Sequence, residues 1–409
     1  MRRVVVTGMG VVSPIGNDVD SLWNSIKEGK CGIDEITLFD TTEFKVKLAA
    51  EVKDLDVEKY FSKRDLKFND RFTQFARIAA KQAYDDCKLE SFDNDRFGVI
   101  IGSGIGGIGS IEDCEKTLLE RGPSRVSPYF IPMSLVNLAA GSVAIDLKAQ
   151  GHCSSIVTAC AAGTNSIGEA FHKIKYGSVD LMAAGGSEAA ITPLAIAGFT
   201  SMRALNDTTD KNRASIPFDK DRSGFVMGEG SAVIILEELE HALSRKANIY
   251  AEIVGYGDSC DANHITAPLS DGSGGTKAMI NAINDAGIKA NDIDYVNAHG
   301  TSTPLNDKTE TLAMKNAFGA HASKLMVSST KSNTGHLLGA SGAVEAIISV
   351  LALKQGYVPA TINYKNYDED CDLDIVANVG RNADIKYAMS NSLGFGGHNA
   401  SIIFKKWEG

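Results

Sequence analysis

The sequence predicts an α/β protein made of two similar halves, and three observations carry that prediction. Short apolar runs alternate with longer segments whose apolar residues recur every three or four positions, the pattern of stacked βαβ units. After the polar segment Glu237–Lys246 the alternation restarts at Ile249–Tyr256, so that Val4–Gly10 and Ile253–Gly257 open two stretches in a similar way. No proline-rich or low-complexity linker parts them, so the halves, 1–248 and 249–409, are expected to pack as one body. Direct self-similarity is weak, and the duplication rests on the pattern alone.

Composition bounds the function. With 44% hydrophobic and 22% charged residues over 409 positions, the chain has material for two cores and no bias toward disorder. A net charge of −10 argues against a broad nucleic-acid surface, so an acidic protein partner would need a local basic patch. The seven cysteines are scattered and form no C-x-x-C pair, which fits reduced thiols better than a disulfide framework or a zinc site. The N-terminal MRRVVVTGMG runs directly into a strand pattern, without the apolar region or cleavage site of a leader. The longest apolar stretch, Ala343–Leu353, is interrupted by Glu345 and too short to span a bilayer. A cytoplasmic protein without nucleic acid or membrane among its partners is expected.

In the first half, Val4–Val6 reads as a buried strand ending in the Thr7–Gly10 turn. Ser13 stands where a dinucleotide fingerprint needs its third glycine, so that motif is rejected. Ser21–Lys27 reads as a short helix, and Arg71–Cys87 as a longer one with Phe72, Phe75, Ile78, Ala79 and Ala83 on one face. Lys63, Arg64, Lys67 and Arg71 form a basic cluster before it, for which a solvated face is the simplest reading. Phe97–Ile101 is a strand followed by GSGIGG. Its Gly102, Gly104 and Gly107 have nucleotide-site spacing without the acidic partner such a site requires. A turn that lets backbone pass close to a ligand or a neighbouring subunit fits better. Val179–Ala184 and Ala232–Leu236 are strands, and Glu237–Lys246 is a polar helix. Between them, Asp219–Gly230 mimics a calcium loop but ends in Gly230 where the bidentate glutamate belongs.

The stretch around which the chain is organised is Ser154–Lys175. Ile156–Thr158 reads as a short strand, small residues take over at Ala159–Gly163, and Ile167, Ala170, Phe171 and Ile174 then mark one buried helix face. A cysteine at such a junction, Cys160, meets unpaired N–H groups and the positive end of a helix dipole. That environment is expected to lower the thiol pKa. A small buried cysteine filling core space is the competing reading.

The second half offers three apolar runs that end in polar turns. Tyr295–Asn297 leads to His299, Val327–Ser329 to Lys331 and His336, and Ser390–Ser392 to the GFGG turn at Gly394–Gly397. In parallel sheets the ligand crevice lies outside the carboxyl ends of strands, so these ends and Cys160 could share a pocket. A cysteine with two histidines suits thioester chemistry: the sulfur takes an acyl group and the imidazoles stabilise an oxyanion in a second step. Their spacing gives no support to a metal site. Glu345, set among apolar residues, is expected to meet Lys331 unless it faces solvent. For the GFGG turn two readings stay open, a structural hairpin or N–H donors that complete an oxyanion hole with Cys160.

The segments VVVTGMGVVSPIG, GSGIGG, TACAAG, PFDKDRSGFVMGEG, NAHGTSTPLND, SSTKSNTGHLLGASGAVE and NSLGFGGHN together resemble the β-ketoacyl-acyl-carrier-protein synthases, over essentially the whole chain. The likeness is closest to the condensing enzymes of dissociated bacterial fatty-acid synthesis. It implies a thiolase-like fold, duplicated α/β halves in five α-β-α-β-α layers, assembled as a homodimer. It implies Cys160 as nucleophile, His299 and His336 as the histidines that promote malonyl decarboxylation, Lys331 beside them and Glu345 as its carboxylate neighbour. Phe395 corresponds to a gating phenylalanine whose N–H joins that of Cys160 at the acyl oxyanion, with Gly396 next to it in the substrate-binding turn. Thr301 and Thr303 match residues that hold the phosphopantetheine arm. Ile105 and Phe199 fall where the acyl pocket is lined or gated, and Phe130 where the partner subunit contributes to it. Lys63, Arg64, Lys67, Arg125 and Arg203 fall in regions that dock acyl carrier protein, although Phe68 and Ser124 replace basic residues expected there.

The activity implied is condensation of an acyl group on Cys160 with malonyl-carrier protein, releasing carbon dioxide and a β-ketoacyl product two carbons longer. It calls for no cofactor and no metal, since the pantetheine arm arrives on the carrier protein. A polyketide ketosynthase, a thiolase and an inactive chain-length subunit are the rival readings. A thiolase would use a second cysteine as its base, and none of the three turns above offers one, Cys371 lying in the acidic loop YDEDCDLD. An inactive subunit is at odds with Cys160, His299 and His336 all being present.

Overall fold

The computed structural model describes all 409 residues. Eleven strands form one continuous hydrogen-bonded sheet. In chain order they are β1 (Val4–Val12), β2 (Phe97–Gly102), β3 (Cys153–Ser154), β4 (Leu181–Glu188), β5 (Gly230–Glu238), β6 (Ala251–Cys260), β7 (Tyr295–Asn297), β8 (Met326–Ser328), β9 (Asp374–Ile375), β10 (Tyr387–Gly394) and β11 (His398–Lys406). Across the sheet the order is β9-β8-β7-β10-β11-β6-β1-β5-β4-β2-β3.

The pairing repeats itself. In one set β1 lies antiparallel to β5 and β5 antiparallel to β4, while β4, β2 and β3 run parallel. In the other, β6 lies antiparallel to β11 and β11 antiparallel to β10, while β10, β7 and β8 run parallel. Strand β9 adds a parallel edge to the second set. The two sets meet where β1 pairs antiparallel with β6 over Val4–Val6.

Six helices complete the layers: α1 (Arg71–Cys87), α2 (Leu138–Leu147), α3 (Ala162–Lys175), α4 (Ser273–Ala286), α5 (Pro304–Phe318) and α6 (Ser341–Gln355). Helix α1 covers β1 and β5 from outside with α2 beside it, and α4 covers β6 and β11 with α5 beside it. Helices α3 and α6 touch each other and strands of both sets, so the sheet folds around them. The largest core, 42 buried residues that include Val4, Ile167, Phe171, Ile347 and Ile402, lies there. Helix α6 suits this place because it is apolar on every side, as a fully enclosed helix must be. The run Leu338–Gln355 has the length and apolarity to cross a membrane, yet it is this interior helix.

Small residues let the beginnings of the two central helices meet. A Cβ on Gly163 would lie 2.9 Å from the Ala343 nitrogen, and one on Gly342 would lie 2.0 Å from Thr164 Oγ1. That close approach brings the turn before α3, with Cys160, against the turn before α6, with His336.

Two local expectations are corrected. Ile156–Thr158 is not a strand; the residues paired with β2 are Cys153 and Ser154. Strand β2 ends at Gly102, and beyond it only the Ser103 N–H reaches this segment, donating to the Ile156 carbonyl at 3.3 Å. The polar helix after β5 spans only Leu239–Ser244, because β5 runs on to Glu238, whose carboxylate then caps the helix at the His241 N–H, 2.8 Å away.

Candidate active site

Cys160 sits in a single 3₁₀ turn, Ala159–Ala161, that runs directly into α3. Ala159 has φ +49°, a left-handed conformation that a residue with a Cβ adopts only under strain, and it turns the chain so that the next side chain projects from the bend. The Phe395 N–H and the N–H of Cys160 itself are directed at the sulfur. Phe395 is at the tip of the β10–β11 hairpin, where Gly394 opposes His398. A Cβ on Gly394 would fall 2.7 Å from the Thr158 carbonyl and 3.3 Å from the Cys160 nitrogen, so only glycine lets the tip approach this closely. The GFGG turn is therefore a hairpin whose backbone donor also faces the thiol.

The thiol departs from expectation. Burial pushes the Cys160 pKa up to about 12, against the pull of the Lys331 ammonium and the two N–H groups, and the Glu188 carboxylate pushes it the same way as burial. The helix terminus is present, but loss of solvent outweighs it.

The two imidazoles arrive from the other half of the sheet. His299 follows β7, and its N–H and that of Gly300 each donate to one oxygen of the buried Glu310 carboxylate, both at 2.8 Å. Burial, opposed by these donors, pushes the Glu310 pKa up to about 7. His336 follows β8 and the short helix Lys331–Thr334; its backbone N–H donates to the Val226 carbonyl at 2.7 Å, and its Nδ1 lies 2.9 Å from Ser341 Oγ. The imidazole rings meet edge to face, 5.3 Å between centroids. Burial first, then the Lys331 charge, hold both well below the usual histidine range, so both are neutral. Nδ1 of His299 has no partner. Lys331 and Glu345 form a buried ion pair, as the apolar setting of Glu345 requires; burial pushes this carboxyl up while Lys331 opposes it.

Cys160, His299, His336 and Phe395 line one cavity of about 410 Å³. Phe199, Thr301 and Thr303 line it too, the threonine hydroxyls 2.9 Å apart, and Arg203 is on its wall. Ile105 packs on the apolar cluster that contains Cys160, outside the cavity lining. Gly396 is also outside it, its N–H held by the Ile265 carbonyl at 2.8 Å. Phe130 is half-buried on the short helix Phe130–Ser134 and does not reach this chain's cavity. Lys63, Arg64, Lys67, Arg125 and Arg203 are exposed and enter no ion pair. Phe68, which replaces an expected basic residue, stacks on Tyr129 at 4.2 Å and so ties the Lys63–Lys67 segment to the one that carries Arg125.

Sequence reasoning missed two buried carboxylates, Glu310 and Glu188. The signal available for Glu188 was its place at the end of a strand, closing the small-residue run Gly185-Gly186-Ser187. For Glu310 it was an i, i+3 relation to Asp307 on a helix that follows the His299 turn. The strained residues Ala159, Ser302 (φ +68°) and Leu338 (φ +49°) were not foreseen either. No group of three or more His, Cys, Asp or Glu side chains is arranged to hold a metal ion.

Residues 1–242 match the β-ketoacyl synthase N-terminal domain, and residues 250–365 match the C-terminal domain of the same enzymes. The chain belongs to the β-ketoacyl synthase family. This synthase is 54% identical, over 409 residues that cover 100% of it and 99% of the relative, to 3-oxoacyl-[acyl-carrier-protein] synthase 2 of Staphylococcus aureus strain N315. Identity to the protein of the same name from Synechocystis sp. PCC 6803 is 52% over 410 residues, 100% of this chain and 99% of that one. Among solved structures it superposes with a TM-score of 0.92, at 36% identity and full coverage of both chains, on a type II polyketide ketosynthase bound to the hexaketide and in complex with its acyl-carrier protein. A β-ketoacyl synthase from Burkholderia phymatum STM815 superposes with a TM-score of 0.91 at 34% identity, again over 100% of both chains. The fold is the thiolase-like fold of the ketosynthases, and the enzyme is a condensing acyltransferase.

Proposed function

We propose that this synthase joins acyl-[acyl-carrier-protein] to malonyl-[acyl-carrier-protein] by decarboxylative Claisen condensation in fatty-acid elongation, with Cys160, His299 and His336 as its catalytic residues. The observation that carries the assignment of residues is the single cavity walled by one thiol and two neutral imidazoles. The Cys160 sulfur attacks the acyl thioester carbonyl. The oxyanion accepts from the N–H groups of Cys160 and Phe395, and the pantetheine sulfur leaves with the proton that the Cys160 thiol gives up. Malonyl thioester then enters, with its pantetheine arm against Thr301 and Thr303. Its C–C bond to the carboxylate breaks, carbon dioxide leaves, and the electron pair forms an enolate whose oxygen accepts from Nε2–H of His299 and His336. With the Ser341 hydroxyl donating to Nδ1 of His336, that ring carries its proton on Nε2, the tautomer this step uses. The enolate carbon attacks the acyl-enzyme carbonyl, the new C–C bond forms, and the Cys160 sulfur departs as thiolate and takes up a proton from solvent, which restores the thiol. No electrons are gained or lost, so the proposed chemistry calls for no redox cofactor, and the N–H donors named above take the oxyanions without calling for a metal.

Lys63, Arg64, Lys67, Arg125 and Arg203 form the proposed docking patch for acidic carrier protein, supported by their exposure and freedom from ion pairs. Assembly as a homodimer has two supports: the unpaired outer edge of β3, and the exposed apolar side chains of Leu119, Ile131, Leu135, Val157 and Leu194. Seven free cysteines fit a reducing, cytoplasmic location.

The test is to offer a ladder of acyl carriers with malonyl carrier and to identify products by mass spectrometry. Products two carbons longer are expected from the wild type and none from Cys160→Ala; elongation by the variant would refute the nucleophile. His299→Ala or His336→Ala is expected to slow decarboxylation about 10²-fold or more, the scale of a lost oxyanion donor. Rates near wild type would refute the two-histidine step. Polyketide products in place of the two-carbon series would favour the polyketide reading.

A further inference from the structure

The glycine-rich turn after β2 is wrapped on a carboxyl group of the protein's own, which burial pushes up and the donors around it pull down. Glu188, at the end of β4, is fully buried. The Ser103 hydroxyl donates to its Oε1 at 2.9 Å and the Ile105 N–H to the same oxygen at 3.1 Å. The N–H groups of Gly104 and Gly339 donate to Oε2 at 2.7 and 3.0 Å. Ser103 Oγ in turn accepts from the Gly106 N–H at 3.0 Å, so the whole turn is wrapped on one carboxylate. A Cβ on Gly104 or on Gly339 would stand 2.8 Å from Glu188 Oε2, which is why both positions are glycine.

The two segments clamped in this way flank the sulfur. Ile105 packs on the apolar cluster that contains Cys160, and Leu338, next to Gly339, belongs to that cluster and lines the cavity. Behind Cys160 the cluster is filled by Ala190, Ile191, Ala195 and Ile196, all buried. A short acyl group on the sulfur fits the cavity as it stands. A long one needs apolar surroundings beyond the cavity, and the cluster around Cys160, with Ile105 packed on it, supplies them; entering that cluster on the Ile105 side requires the Ser103–Gly106 turn to move against its three hydrogen bonds to Glu188.

We propose that Glu188 is a specificity-determining positioning residue: it clamps the Ile105 turn to the Leu338 turn and thereby sets how readily the space behind Cys160 opens to long acyl chains. The inference rests on the proposed acylation of Cys160. Glu188 touches no reacting atom; it acts through the backbone of Ile105 and Gly339. Glutamine at this position keeps the shape but turns one acceptor into a donor that faces an N–H or O–H group, and so weakens the clamp from within. Ser103→Ala removes one donor to Glu188 together with the acceptor of the Gly106 N–H, leaves the carboxylate and its three backbone donors in place, and serves as the milder variant should Glu188→Gln fold poorly.

The readout is the ratio of kcat/KM for a long to a short acyl-carrier substrate, which does not depend on how much of each preparation is active. Glu188→Gln is expected to raise this ratio by about 10-fold, the scale of one lost hydrogen bond to a charged acceptor. Ser103→Ala should shift it in the same direction by less, and the double variant should add little to Glu188→Gln. A ratio equal to that of the wild type in both variants, with rates lowered alike for all chain lengths, would overturn the proposal and leave Glu188 with a role in folding only. If the wild type elongated no acyl carrier at all, the functional reading itself would fall, an outcome distinct from an unchanged ratio.

Discussion

Replacing Lys331 with methionine separates what the buried ion pair does for the fold from what it does for the chemistry. The side chains of Lys331 and Glu345 are 1% and 4% exposed and bond to each other. Removing the ammonium leaves a carboxylate stranded among Ala343, Val344 and Ala346, or forces it to take up a proton. Breaking a buried pair from one side destabilises by about 3–5 kcal/mol. With an unfolding entropy of about 2.1 cal/mol/K per residue, the chain of 409 residues gains roughly 0.9 kcal/mol/K, so Tm falls by about 3–6 °C. Lys331→Met/Glu345→Leu removes both charges and is expected to recover most of that loss. The pH dependence does not recover. After burial, the Lys331 charge is what holds His299 and His336 below the usual histidine range. Without it the imidazoles keep protons to higher pH, and a protonated His336 can no longer accept the Ser341 hydroxyl at Nδ1, so the ring loses the contact that orients its Nε2–H toward the enolate. The acid limb of malonyl decarboxylation therefore moves to higher pH in the single and double variants alike. Carbon dioxide release from about pH 5 to 9, set beside scanning calorimetry, reads both effects. A double variant with wild-type Tm and a wild-type acid limb would refute the electrostatic argument, and one that stays as unstable as Lys331→Met would refute the pairing argument.

Two further outcomes follow from the geometry around the sulfur. With its pKa pushed up to about 12, the Cys160 thiol is neutral at ordinary pH. Its alkylation by iodoacetamide in the ligand-free enzyme, followed by peptide mapping, is expected to rise about tenfold per pH unit through the range of about pH 7–10. A plateau below about pH 9 would mean that the helix terminus prevails over burial after all. In Gly394→Ala the new Cβ meets the Thr158 carbonyl at 2.7 Å and pushes the hairpin tip off the Cys160 turn. Acyl transfer is expected to fall about 10²-fold, the scale of one oxyanion donor, with malonyl decarboxylation much less affected; equal losses in the two half-reactions would refute the hairpin's assignment to the acyl oxyanion.

What was legible in the sequence, and what was not, follows the range of the forces involved. The helix Arg71–Cys87 could be read to the residue, because its apolar face recurs in register and Asp70 stands ready as a cap. Cys160, His299, His336 and Phe395 stood out because each adjoins small residues at the end of an apolar run, a local signature of a turn made for close approach. Glu188 also follows small residues at a strand end, but nothing local announces its partners. Its donors lie as far as 151 positions away, and a carboxylate that serves backbone N–H groups leaves no periodicity in the chain. The Ile156–Thr158 segment failed for a related reason: strand propensity was present, but pairing with β2 stops at Ser154, and β2 ends at Gly102, level with Ile156. The thiol pKa was misjudged because helix-end electrostatics can be read locally, whereas burial is a property of everything packed around the sulfur.

The buried carboxylates explain how so small a cavity keeps its geometry. Glycine-rich turns are soft, and three of them, at Gly104, Gly300 and Gly339, border the reacting groups. Each is held by a carboxylate that accepts its backbone N–H, Glu188 for Gly104 and Gly339 and Glu310 for Gly300. A nest of N–H groups of this kind would elsewhere attract a phosphate; here its charge partner is built in, so the turn is fixed before any substrate arrives. The same fixing allows Ala159 and Leu338 to hold left-handed backbone on either side of Cys160 and His336, since strain persists only where the surroundings over-determine it. Donors for an oxyanion are effective to the extent that they need no reorganisation when charge develops. The cost of burying these acids thus falls on the stability of the fold, and the return is a thiol, two imidazoles and two N–H groups held in place across the junction of two half-sheets.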